Sequence, residues 1–258
     1  MSGPRLHASE VVVRFGDRLV VNSATFDLNA RELTVLVGPN GAGKTTLMRA
    51  LAGLQTAEGR IAVDGRSLGS FEARDRARRI AYLPQGHVFH WPMAVDAVVA
   101  LGRHPHVDMF SPLSDADHAA VTRALTATAS EGFAARPVTT LSGGEQARVA
   151  LARALATEAP VLLADEPTVS LDPRHQLVVI DLLRRVARDG AAVLAIVHDL
   201  ALAARAADRI LVMNEGQIVA HGPPRDVLTP ERIAKVFGVE AVIVESATGA
   251  VPILQRPL

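Results

Sequence analysis

Eight consecutive residues, Gly38-Pro39-Asn40-Gly41-Ala42-Gly43-Lys44-Thr45, have the types and spacing to hold a chain of phosphates. Glycines at 38, 41 and 43 let backbone N–H groups converge on phosphate oxygens without Cβ clashes. Lys44 adds a mobile full charge for the outer phosphates, and Thr45 offers a hydroxyl to Mg²⁺. The apolar run Leu33-Thr34-Val35-Leu36-Val37 before the loop reads as a buried strand. Thr46-Leu47-Met48-Arg49-Ala50-Leu51 after it reads as a helix, whose N-terminus adds partial positive charge. Strand, glycine loop and helix together predict a nucleoside triphosphate site.

A second stretch, Val161-Leu162-Leu163-Ala164-Asp165-Glu166, reads as a buried strand ending in paired carboxylates. Asp165 can hold Mg²⁺, directly or through water. Glu166 can orient or deprotonate an attacking water. A strand capped by solvated acids would be the plainer reading of these residues taken alone. A third stretch, Leu141-Ser142-Gly143-Gly144-Glu145-Gln146, puts another glycine turn before a helix expected to begin near Glu145. Its hydroxyl and free N–H groups make a second anion site, or Ser142 simply caps the helix. One nucleotide held by one chain has no obvious need for both glycine turns.

The elements that must position these residues follow from pattern. Residues 11–28 read as short strands with a turn at Phe15-Gly16-Asp17, and residues 59–64 as another strand closed by Asp64-Gly65. From Thr34 onward strands and helices alternate, which predicts a parallel sheet with helices on its faces. Residues 87–158 show helical periodicity (Val95, Val98, Val99; Val121, Leu125; Val149, Leu151, Leu155) and no good strand. Apolar strands return at Val161 and at Ala192-Val193-Leu194-Ala195-Ile196-Val197, and a hairpin over 209–219 turns at Asn214-Glu215-Gly216.

Composition narrows the class. At 258 residues and 49% apolar content, the chain can build one large domain with a real core. Its 27 basic residues balance 27 acidic ones, and aromatics are only 3%, which argues against nucleic acid as a partner. With no cysteine there is no disulfide and no thiolate chemistry. The first residues lack an apolar signal core, and the longest apolar runs, such as 191–197, fall short of the ~20 residues of a membrane span. The expectation is a soluble, cytoplasmic chain.

With these three motifs in this order, the chain resembles the ATP-binding subunits of ABC transporters, from about Phe15 to Gly238. The resemblance implies an α/β fold. A P-loop NTPase (RecA-like) core with a small antiparallel β subdomain would span 1–86 and 159–258, with a helical subdomain inserted at 87–158. It implies ATP and Mg²⁺ as cofactors, with ATP on Gly38 to Thr46 and Mg²⁺ on Thr45, Gln85 and Asp165. Gln85, after Ala81-Tyr82-Leu83-Pro84, looks like the glutamine that touches Mg²⁺ and water and reports to the membrane subunit. His198 looks like the switch histidine that contacts the γ-phosphate and positions Glu166. Ser142, Gly143, Gly144 and Glu145 look like the turn that contacts ATP held by another subunit, and Ser170-Leu171-Asp172 like the loop that crosses the dimer interface. Phe15 falls where the family stacks an aromatic on adenine, with core burial as the alternative.

Within the family, three stretches look closest to importers of iron chelates (siderophores, haem) and cobalamin. They are Ala81 to Gln85, Val99-Ala100-Leu101-Gly102-Arg103-His104-Pro105-His106, and Leu171-Asp172-Pro173-Arg174-His175-Gln176. Val236-Phe237-Gly238-Val239 also fits, and little chain follows it for a regulatory domain. The implied partners are a second copy, two transmembrane permease subunits and, indirectly, a substrate-binding protein, at the cytoplasmic face of the inner membrane. A soluble ABC ATPase of translation or DNA repair, an exporter subunit and a nucleotide kinase are the rival classes. His87, His90, His104 and His106 invite a metal or haem reading but lack acid or thiolate partners. Trp91, the only tryptophan, is either an anchor for the permease or buried among the helices.

Overall fold

The computed structural model describes residues 3–86, 89–108, 111–169, 171–246 and 249–258. His87 and Ser170 lie outside the described residues. The first half of the chain runs β1 (Leu6–Phe15), β2 (Arg18–Leu28), β3 (Glu32–Val37), α1 (Lys44–Leu51), β4 (Glu58–Val63), β5 (Arg66–Ser67), α2 (Ala73–Arg79), β6 (Ile80–Leu83), α3 (Val95–Ala100) and α4 (Asp115–Ala127). It continues through α5 (Gly143–Leu155), β7 (Val161–Ala164), α6 (Pro173–Arg188), β8 (Ala192–Ile196), α7 (Leu200–Ala206), β9 (Arg209–Asn214), β10 (Gln217–Gly222), α8 (Pro224–Val227), α9 (Pro230–Phe237), β11 (Val239–Ser246) and β12 (Gly249–Pro257).

The central sheet has the order β10-β9-β3-β8-β7-β6. Its strands are parallel except β10, which hairpins back on β9. Every residue of β7 and β8 is buried, as their unbroken apolar sequences require of strands covered on both faces. Alternate residues serve opposite cores. Leu33, Val35, Val37, Val193 and Ala195 pack toward α5, α6 and α7. Leu36, Leu194 and Ile196 pack toward α1 and the four-stranded antiparallel sheet β2-β1-β4-β5. The strand expected from residue 11 begins at Leu6, and β1 turns into β2 after Phe15.

Among the described residues of 89–158, helices α3, α4 and α5 are joined by short 3₁₀ turns, with a single bridge between Ala94 and Pro137 and no strand. They enclose a core of their own that includes Val95, Val99, Val121, Leu125 and Val149. The opposite side of α5 supplies Ala147, Ala150, Leu151 and Ala154 to the sheet's core, so this helix carries the connection. Trp91 is 76% exposed and is not buried among the helices. Past α9, which ends on Gly238 in the left-handed region, the chain forms an antiparallel ribbon of β11 and β12. The sequence reading made no element there.

One ion pair in the helical segment is buried. The Arg103 guanidinium lies 2.9 Å from Asp117 and donates at 2.7 Å to the Ala156 carbonyl, with Arg103 and Asp117 each 6% exposed. Gly102 precedes it because a Cβ there would sit 2.2 Å from the Arg153 carbonyl oxygen. The Ser114 hydroxyl, then Arg103, hold the Asp117 carboxyl down to about 2. Arg103→Ala leaves that carboxylate with the Ser114 donors but without its charged partner, and the expected loss is about 1.5–3 kcal/mol in urea unfolding. The folded pKa lies below the unfolded value of about 3.9. The contribution of the Ser114 and Arg103 contacts to this carboxylate is therefore present above pH ~4 and is lost as pH falls toward ~2. Asp117→Asn is expected to flatten stability against pH across that window; an unchanged slope removes Asp117 as its source.

Candidate nucleotide-binding and hydrolysis site

β3 delivers the glycine loop and β7 delivers the paired carboxylates to the same edge of the sheet, because both strands run parallel through β8. Loop residues 40–46 floor a cleft of about 410 Å³ walled by Phe15, Arg18, Val20 and Glu166. Two glycines of the loop are demanded by packing. A Cβ on Gly38 would lie 2.1 Å from the Met213 carbonyl oxygen, and one on Gly43 would lie 2.6 Å from that of Val20. Gly41 has open space beside it and φ +80°. Gly43 is the N-cap of α1 and supplies no side chain, so that helix opens without a side-chain cap.

Lys44 is 6% exposed. Its Nζ donates to the carbonyls of Gly38 at 2.8 Å and Pro39 at 2.9 Å. Burial pushes its pKa down, opposed by the charges of Glu166 and Asp165. Asp165 is fully buried. Its Oδ1 accepts from the Thr45 hydroxyl at 3.2 Å and its Oδ2 from the Tyr82 hydroxyl at 3.1 Å. Burial pushes the Asp165 pKa up, and the two hydroxyl donors oppose that shift.

Glu166 takes the left-handed conformation, φ 52°, at the tip of β7. Such a backbone costs on the order of 1 kcal/mol in a residue with a Cβ. The kink carries its carboxylate between two partners. His198 Nε2 lies 2.6 Å from Oε1, and Gln85 Nε2 donates to Oε2 at 2.6 Å. The structure thus gathers Lys44, Thr45, Gln85, Asp165, Glu166 and His198 from α1 and from the ends of β6, β7 and β8. Phe15 is 52% exposed at the cleft wall, not in the core.

The second glycine turn does not line this cleft. The helix it opens, α5, begins at Gly143, two residues earlier than expected. Ser142 caps it, and Glu145 closes the cap by accepting from the Ser142 N–H at 2.8 Å and hydroxyl at 3.0 Å. A Cβ on Gly144 would meet Leu171 at 3.5 Å, so the turn abuts the loop before α6. Asp172 caps α6 and accepts from the His175 backbone N–H at 3.0 Å, its second oxygen lying 2.7 Å from the ring Nδ1.

Sequence reasoning missed three contributors. Tyr82 reaches Asp165 from β6, a contact between strands that spacing along the chain cannot reveal. Arg18 and Val20 wall the cleft beside Phe15, and their alternate placement after the turn was the available signal. Among the described residues no group of three or more His, Cys, Asp or Glu could hold a metal ion. His106 instead pairs its Nε2 with the Thr157 carbonyl at 2.9 Å.

Comparisons with known proteins give the family. The family profile described as ABC transporter matches residues 21–169. The chain is 44% identical over 253 residues to the hemin import ATP-binding protein HmuV of Rhodococcus jostii (strain RHA1), covering 97% of this chain and 86% of that one. It is 46% identical to the cobalamin import ATP-binding protein BtuD of Halobacterium salinarum (strain ATCC 29341 / DSM 671 / R1), over 87% of this chain and 57% of the other. The ferric enterobactin transport ATP-binding protein FepC of Escherichia coli (strain K12) is 35% identical over 97% of this chain and 93% of its own. Among solved structures, a chain of an ABC transporter in an inward-facing conformation superposes with a TM-score of 0.84 at 25% identity, covering 99% and 98% of the two chains. The chain belongs to the ABC transporter family and is one of its ATP-binding subunits, an ATPase with the P-loop α/β fold.

The lysine of the loop gives the direct test. Lys44→Ala removes a charge-assisted donor set of about 1.5–3 kcal/mol per bond, so ATP affinity is expected to fall at least tenfold, roughly. Equilibrium dialysis with labelled ATP reads this, and an unchanged affinity would remove the loop as the phosphate site.

Proposed function

We propose that this chain is the ATP-hydrolysing subunit of an importer that takes up an iron chelate (siderophore or haem) or cobalamin through a separate permease. The observation that carries the hydrolytic part is the Glu166 carboxylate, held at 2.6 Å by both Gln85 and His198 beside the phosphate loop. The import names of HmuV and BtuD and the ferric enterobactin transport name of FepC support the substrate class.

Mg²⁺ fits the residues present. Asp165 is a wholly buried carboxylate whose side chain is met only by hydroxyl donors, with no ion pair among the described residues. Such a group calls for a cation close by. Thr45, Gln85 and Asp165 would hold Mg²⁺, a sparse set of oxygens of the kind that metal accepts when phosphates and water complete its shell. Bound there, it would screen the negative charge that develops on the transferred phosphate.

The chain's own groups do the rest. Lys44 exchanges the Gly38 and Pro39 carbonyls for the outer phosphates. Glu166 orients the attacking water and draws its proton, and His198 holds Glu166 and meets the γ-phosphate. Phe15 stacks on the adenine at the cleft wall. Ser142, Gly143, Gly144, Glu145 and Asp172 lie outside the cleft; the resemblance to ABC ATP-binding subunits gives them the role of meeting ATP held by a second copy arranged head to tail. Closing that homodimer moves the helical segment 87–158 against the core 1–86 and 159–258, and the Gln85 region passes the movement to two permease subunits. A separate binding protein delivers the ligand. No helix among the described residues is long and apolar enough to cross a membrane, and the position proposed is peripheral, at the cytoplasmic face of the inner membrane.

Glu166→Gln keeps the hydrogen-bonded shape and removes the base. Turnover is expected to fall by about 10²–10⁴ while ATP binding persists. Phosphate release and nucleotide binding measured side by side decide this, and undiminished turnover removes Glu166 from the role. The same variant, tagged and loaded with ATP, is expected to retain a polytopic membrane protein from solubilised membranes. Ribosomal or repair partners without a membrane protein would instead favour a soluble ABC ATPase.

A further inference from the structure

Tyr82 is the chain's one tyrosine. It stands on β6, in parallel register opposite Leu163 of β7. Its ring is partly buried against the core that includes Ile80, Leu163 and Leu194. The phenol donates to Asp165 Oδ2 at 3.1 Å, while the other oxygen, Oδ1, takes the Thr45 hydroxyl at 3.2 Å. The Asp165 backbone is anchored on the same strand, its N–H donating to the Leu83 carbonyl at 2.9 Å.

A carboxylate turns easily about its last torsion, which is broad and roughly two-fold. Burial alone therefore does not decide which way Asp165 faces. Thr45 cannot serve as the only fixing group, because its hydroxyl belongs to the metal's own donor set. The phenol grips the far oxygen and leaves the near one beside Thr45. β6 also carries the chain to Gln85, which grips Glu166, so one strand orients both carboxylates of the site.

We infer that Tyr82 is a positioning residue for metal binding, fixing the plane of Asp165 so that its Oδ1 is presented beside the Thr45 hydroxyl. The inference rests on the ATPase reading above. A hydroxyl acting this way contributes no ligand and touches no nucleotide. Its loss should weaken the metal without weakening ATP held in the absence of metal. Partners that orient a metal ligand typically change metal affinity by about 10–100-fold when removed.

The test uses the full chain and Tyr82→Phe, which preserves the ring. Mn²⁺ is the probe, titrated by electron paramagnetic resonance into protein saturated with an imido analogue of ATP. Nucleotide affinity is measured separately in EDTA. The expected result is an Mn²⁺ affinity lower by about tenfold or more, with the affinity in EDTA unchanged. Equal or tighter Mn²⁺ binding in Tyr82→Phe overturns the inference, and so does an equal loss in both measurements, which marks a general structural defect. If the wild-type chain itself gains no nucleotide affinity from metal, the ATPase reading fails first. Should the variant not fold, fluorotyrosine incorporated into the wild-type chain gives a single ¹⁹F resonance at Tyr82. Mg²⁺ added to the nucleotide complex is expected to shift that resonance, and an unmoved signal overturns the inference.

Discussion

Asp165 is a carboxylate with no access to solvent and no ion-pair partner among the described residues, and the site is organised around it. Leaving a charge in such a place is expensive unless donors or a cation offset the lost hydration. Burial accordingly raises its pKa, and the Thr45 and Tyr82 hydroxyls pull it back. Those donors come from α1 and from β6. Both are within reach only because β6, β7, β8 and β3 lie side by side and parallel, so that their C-terminal ends share one edge. A parallel sheet places its ligand crevice at that edge.

The phosphate loop answers to the same constraint from the other side. Lys44 is desolvated, which by itself favours the neutral amine, yet Asp165 and Glu166 supply negative potential that favours the ammonium. In this structure its protons are spent on the Gly38 and Pro39 carbonyls. The loop therefore holds its shape with internal partners. Its tightness is enforced by the Met213 and Val20 carbonyls behind Gly38 and Gly43, so these glycines are as much a packing requirement as a phosphate requirement. The strained backbone of Glu166 belongs here too. A relaxed residue would continue the line of β7, whereas the positive φ turns the carboxylate toward Gln85 and His198.

What could be read in the sequence was local. The glycine loop between a strand and a helix, the apolar strand ending in Asp165-Glu166 and the helical periodicity of 95–155 each carry their signal within a dozen residues or so. The buried strands β7 and β8 were legible because both faces are covered and the apolar run is unbroken. The ribbon of β11 and β12 was not, because its residues are mostly exposed and its partner strand, not its own pattern, defines it. The start of α5 was misjudged by two residues because Gly143 and Gly144 read as turn formers, while Ser142 and Glu145 together cap a helix around them. Tyr82 escaped because nothing within its own strand marks a contact to a residue so far along the chain.

The two caps at the second glycine turn and at the start of α6 form without any ligand. Ser142 is satisfied by Glu145, and Asp172 by His175, each within its own helix N-terminus. Neither cap needs a ligand in order to form, which is why both are well built at a distance from the cleft. Ser142 is an exposed residue at the end of a helix whose other side packs into the sheet's core. A helix anchored in that core carries its exposed, self-capped end to a surface away from the cleft. The two glycine turns thus sit apart within one fold, the second outside the cleft that the first floors.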